Sequence, residues 1–116
     1  MCHVLVIEDD FLIADHIIQL IETAGATSFA QAGSQDEAIA EARLRPPAFI
    51  MSDVTLTAGT GPDAVQAIIA EHGATPVIFV TGTPAACHPC RAPMVILEKP
   101  INEGILIDTF RRLAPH

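Results

Sequence analysis

The chain has 116 residues, half of them hydrophobic and only 17% charged, enough for one globular domain with a buried core and too apolar for a disordered chain. No apolar run approaches the roughly 18 residues of a membrane span. The net charge of −8 has the wrong sign for phosphate backbones or an anionic bilayer, so neither nucleic acid nor membrane is an expected partner.

Apolar runs alternate with helical patterns, the signature of parallel strands joined by crossover helices. Residues 4–7 form a continuous apolar run, the form of a strand buried on both faces, and it stops at Glu8-Asp9-Asp10. Leu12, Ile13, Ile17, Leu20, Ile21 and Ala24 then recur at helical spacing, with Asp10 as the cap and Gly25 at the other end. Phe11, Ala14 and Ile18 flank that stripe as peripheral core, with a partner-binding face as the alternative reading, and His16 faces solvent. A second strand is expected over residues 27–32. Ser34 with Glu37 three residues on is a capping-box signature for a second helix, which Pro46-Pro47 must end.

A third strand over residues 48–51 runs into Ser52-Asp53. Gly59 and Gly61 mark a loop, and Pro62 suits the first turn of a helix reaching about His72. Residues 76–80 form the fourth strand, closed by Thr81-Gly82. Residues 83–93 hold three prolines and no helical stripe, so a fourth helix there must be short or irregular. Residues 94–97 form the fifth strand, ending at Glu98-Lys99-Pro100. Asn102 caps a last helix whose core positions are Ile105, Leu106, Thr109, Phe110 and Leu113. The expected fold is α/β, a doubly wound five-stranded parallel sheet in the order 2-1-3-4-5. It forms one domain over residues 1–116 with no output module.

In an open parallel sheet, ligands bind beyond the carboxyl ends of the strands. Those ends carry Glu8, Asp9, Asp53, Thr81 and Lys99, the only lysine in the chain. Carboxylates brought together repel unless a cation intervenes, and an all-oxygen cluster selects a hard ion such as Mg²⁺. A carboxylate is also a nucleophile able to accept a phosphoryl group, and Asp53 is the natural candidate. Mg²⁺ at Asp9 and the ammonium of Lys99 would neutralise the equatorial oxygens, while Thr81 hydrogen-bonds one of them.

These residues, in this order, resemble the receiver domains of two-component response regulators, whose simplest members are CheY-like single domains. The resemblance spans the whole chain. It implies that Asp53 is the phosphoacceptor, that Asp9 binds Mg²⁺ directly and Glu8 through water, and that the backbone carbonyl of Thr55 is a further metal ligand. Gly61, eight residues after Asp53, matches the family's loop glycine. Thr81 matches the switch hydroxyl, and Lys99-Pro100 the lysine-proline signature, in which a cis peptide bond precedes the proline. The implied partners are a sensor histidine kinase or a histidine phosphotransfer protein, a downstream protein that the sequence does not name, and a second copy in a homodimer.

Two departures stand out. Thr81 and Lys99 are closer in sequence than in CheY-like proteins, and Ile96 occupies a position where the family often has an aromatic. With the Phe79-Val80-Thr81-Gly82 stretch, they resemble an alphaproteobacterial subgroup with a Phe-Ala-Thr-Gly type motif and a reduced fourth helix. Two other readings compete. A pseudo-receiver would bind partners independently of phosphorylation. A haloacid-dehalogenase-type phosphotransferase is superficially similar at Asp53-Val54-Thr55-Leu56-Thr57, but its nucleophile normally ends the first strand, and this chain has little room for a substrate cap. Cys87 and Cys90 have redox or metal spacing, yet one pair completes no four-ligand zinc site. Three cysteines argue against a disulfide framework and, without a signal-peptide pattern, for the cytoplasm.

Overall fold

Strand β1, His3–Ile7, is buried along its whole length, so its alternating side chains must feed two separate cores. In the computed structural model, which describes residues 2–82 and 94–115, they do. Val4 and Val6 point to one face of the sheet with Phe49, Met51, Ile78 and Val80, while Leu5 and Ile7 point to the other with Ile50, Val77 and Phe79. The remaining strands are β2 (Ser28–Ala32), β3 (Phe49–Ser52), β4 (Val77–Thr81) and β5 (Val95–Glu98). All pairings are parallel, and the order is β2-β1-β3-β4-β5.

Helices α1 (Phe11–Thr23) and α4 (Glu103–Leu113) cover the first face, with the Phe110 ring set 4.8 Å from that of Phe49. Helices α2 (Gln35–Leu44) and α3 (Gly61–His72) cover the second with Ala38, Ala42, Ala64, Val65 and Ile68. Capping accounts for the starts. Asp10 Oδ1 accepts from the amides of Leu12 and Ile13, Ser34 Oγ from Glu37, Thr60 Oγ1 from Asp63, and Asn102 Oδ1 from Ile105. The expected short fourth helix, Cys87 and Cys90 lie outside the described residues. Among the described residues, no helix is long and apolar enough to cross a membrane.

Four side chains depart from the helical stripes; Leu44, at the last position of α2, is 80% exposed. Phe11 and Leu12 are 77% and 84% exposed, and Ile105 is 52% exposed. Leu12 precedes the buried Ala14 by two residues, which turns it about 200° around the helix, away from the sheet. Phe11, Leu12 and Ile105 belong to first turns, in which Ala14 and Leu106 are the residues that join the core. His16 is not simply solvated, because its Nε2 lies 2.7 Å from Glu103 Oε2 and links α1 to the start of α4.

Candidate functional site

The switch in strand order falls between β2-β1 and β3, and the carboxyl ends of β1 and β3 are held side by side there. Ile7 pairs with both Ala32 and Ser52, and the Asp53 amide donates to the Ile7 carbonyl at 2.8 Å. Glu8 and Asp53 thus leave neighbouring strands at the same level. Lys99 reaches the same edge from β5, its amide donating to the Thr81 carbonyl at 2.9 Å, and the peptide bond to Pro100 is cis. The Lys99 ammonium donates to Glu8 Oε2 at 3.3 Å and to Asp53 Oδ2 at 3.2 Å.

Glu8, Asp9 and Asp53 each bring a carboxylate oxygen within 4.8 Å of the others. Glu8 is fully buried; its Oε1 accepts from the Asp10 amide at 3.1 Å. Asp53 Oδ1 accepts from the Val54 amide at 2.7 Å. Three carboxylates form a hard, strongly negative donor set, which suits a small divalent cation that keeps part of its water shell. Of the other sequence candidates, Thr81 is buried at the end of β4, next to the strand that carries Asp53. Thr55 is exposed in the loop after β3, where it bridges Thr60.

Gly61 opens α3 against this site. A Cβ there would stand 1.8 Å from the Asp53 carbonyl oxygen and 2.3 Å from Ser52 Oγ, so the backbone approach depends on glycine. The loop leading to it is pinned by Gln35, whose amide donates to the Ala58 carbonyl and whose Oε1 accepts from the Thr60 amide. Thr57 holds Asp9 through both its amide and its hydroxyl. Sequence reasoning missed Gln35 and Thr57. The signal for Thr57 was a hydroxyl residue four positions after Asp53, in a loop bound to fold back over the site.

Burial pushes the Glu8 carboxyl up to about 7; the Asp10 amide and Lys99 pull it down, and the nearby Asp53 adds to the rise. Burial lowers the Lys99 ammonium, but the Glu8 and Asp53 carboxylates outweigh it and hold Lys99 above the ordinary lysine value. The hydroxyl and amide of Thr57 keep Asp9 below the usual carboxylate range, against the cost of burial. Because the folded chain holds a proton on Glu8 that the unfolded chain releases above its ordinary 4.5, Glu8 subtracts stability as pH rises from about 4.5 to about 7. Glu8→Gln in chelator is therefore expected to melt higher than the parent at pH 8, by roughly 5 °C, the shift that about 1 kcal/mol gives a domain of this size. The difference should shrink at pH 5. Equal differences at both pH values would contradict the assignment.

The family model for the response regulator receiver domain matches residues 4–111, and the chain belongs to that family of signalling domains, the CheY-like receivers of two-component systems. No curated protein sequence matches it. The receiver domain of the response regulator PhyR from Erythrobacter litoralis is similar, with 26% identity and a TM-score of 0.85 over 97% of this chain and 88% of that one. The response regulator PhyR from Brucella abortus aligns at 28% identity and TM-score 0.82, over 97% of this chain but 47% of that one. Chemotaxis protein CheY4 from Vibrio cholerae aligns at 25% identity and TM-score 0.80, over 97% and 98% of the two chains.

Proposed function

We propose that residues 1–116 act as one receiver unit, a phosphoacceptor switch in the cytoplasm, with Asp53 as the phosphorylated residue. The observation that carries this reading is the Lys99 ammonium poised 3.2 Å from Asp53 Oδ2, beside the acidic cluster of Glu8, Asp9 and Asp53. Mg²⁺, held by Asp9, Asp53 and the Thr55 carbonyl, with Glu8 through water, would supply neutralisation of the phosphoryl oxygens. An oxygen of the Asp53 carboxylate bonds to phosphorus as the bond to a donor histidine nitrogen breaks. The nitrogen keeps the electron pair and takes up a proton, leaving an aspartyl phosphate.

Lys99 moves from a carboxylate pair to the incoming phosphoryl group, and Thr81 donates its hydroxyl to another phosphoryl oxygen. The donor is a sensor histidine kinase or histidine phosphotransfer protein, and the output is contact with a downstream protein.

Intact-mass spectrometry after incubation with Mg²⁺ and a small phosphodonor tests this reading. One phosphate is expected on the chain with Mg²⁺ present and none with chelator in excess. No gain in either condition would favour the pseudo-receiver reading, and steady turnover of small phosphoesters the phosphotransferase one.

A further inference from the structure

Asp9 is fastened to the opposite wall of the site by a residue that the reading above does not use. Thr57 donates twice to Asp9 Oδ2, from its amide at 2.8 Å and from its hydroxyl at 2.5 Å. Thr57 sits in a loop whose shape is set without Asp9. Thr55 bridges Thr60, the Ala58 carbonyl accepts from the Gln35 amide at 3.1 Å, and the Thr60 amide donates to Gln35 Oε1 at 3.2 Å. The donors are therefore fixed, and the Asp9 carboxylate is the part they restrain.

The restraint has something to oppose. With oxygens of Glu8, Asp9 and Asp53 within 4.8 Å of one another, like charges favour swinging the most accessible carboxylate away. Without Thr57, Asp9 is the least restrained of the three: Glu8 is enclosed and Asp53 is held by Val54 and Lys99. Two charge-assisted hydrogen bonds to one oxygen resist that swing and leave the other oxygen directed by the fixed carboxylate plane. We propose that Thr57 is a positioning residue for the metal site, holding Asp9 by Oδ2 so that its carboxylate stays in the cluster that receives a divalent cation. The proposal rests on the Mg²⁺ reading above and extends it to a residue outside the ligand set.

Groups that hydrogen-bond a metal ligand typically contribute 10–100-fold to affinity. Thr57→Val removes the hydroxyl but keeps the branched shape and the amide, so the lower end applies. Calorimetric titration of the whole chain with MgCl₂ alone is expected to show about tenfold weaker binding for Thr57→Val. Thr57→Ser, which keeps a hydroxyl, should restore affinity to within about twofold of the parent, whereas a merely structural role for the side chain would not separate the two variants. Thermal melting in chelator should be alike for the parent and Thr57→Ser and somewhat lower for Thr57→Val, which loses a hydrogen bond to the Asp9 carboxylate, with all three folded at the titration temperature. Parent binding that Thr57→Val leaves unchanged or tightens would overturn the role of Thr57 alone, the tightened case meaning that Thr57 competes with the cation for Oδ2. A parent chain without saturable Mg²⁺ binding would overturn the metal reading and this inference together.

Discussion

Asp53→Asn is expected to abolish phosphoryl transfer to the chain, with no phosphate mass gain detectable where the parent gains one. The amide that replaces the carboxylate has no anionic oxygen to form the bond to phosphorus, so the effect is loss of the reaction rather than a slower rate. The fold should survive it. Asp53 is only partly buried, its backbone amide still bonds to Ile7, and an Asn side chain can accept from the Val54 amide as Oδ1 does now. Removing a charge from a cluster with Glu8 and Asp9 also relieves repulsion. A variant that stays folded and takes no phosphate is the expected result, the loss of the Lys99 contact at Oδ2 offsetting the relieved repulsion, and phosphate on the variant would place the acceptor elsewhere.

Gly61→Ala should be the most damaging single-methyl change at the site. The added Cβ would meet backbone, the Asp53 carbonyl at 1.8 Å, as well as Ser52 Oγ at 2.3 Å, so no side-chain rotation relieves it. Either α3 withdraws, breaking the 2.9 Å bond from the Gly61 amide to the Val54 carbonyl, or the Asp53 backbone shifts and takes its carboxylate out of line with Lys99. Overpacking of this kind costs about 3 kcal/mol or more, which corresponds to a fall of more than about 10 °C in Tm. Gly104→Ala is the matched control. It lies in the first turn of α4, where the new Cβ would meet only Asn102 Oδ1 at 3.6 Å, so stability should hold or rise slightly. Calorimetric melting of both variants checks the contrast, and equal small effects would show that the close approach at Gly61 is not needed.

Much of this was legible in the sequence because local chemistry and fold agree. The run from Val4 to Ile7 is apolar without alternation since both faces of β1 are covered, and Asp10, Ser34 and Asn102 cap the helices that their side chains announce. Pro62 falls in the first turn of α3, where its missing amide costs nothing. The acidic pair after β1, Asp53 after β3 and Lys99 after β5 meet because parallel strands put all their carboxyl ends on one edge.

What the sequence concealed depends on where an element ends in space. Helical spacing assigns Leu12 and Ile105 to core stripes, but in those first turns it is Ala14 and Leu106 that join the core while Leu12 and Ile105 stay exposed. The His16 to Glu103 contact joins residues on different helices that no spacing rule connects. Thr57 is likewise invisible as a partner of Asp9 until the loop before Gly61 folds back across the site.

One carboxylate, Asp53, is expected to take the phosphoryl group. Borohydride reduces an acyl phosphate of aspartate to homoserine, which survives proteolysis and marks its position. After phosphorylation with Mg²⁺ and a small phosphodonor, tandem mass spectrometry of the reduced peptides should find homoserine at position 53 and nowhere else. Homoserine at position 9, the equivalent reduction product at Glu8, or an unmodified peptide around position 53 from a chain that carries phosphate would contradict it.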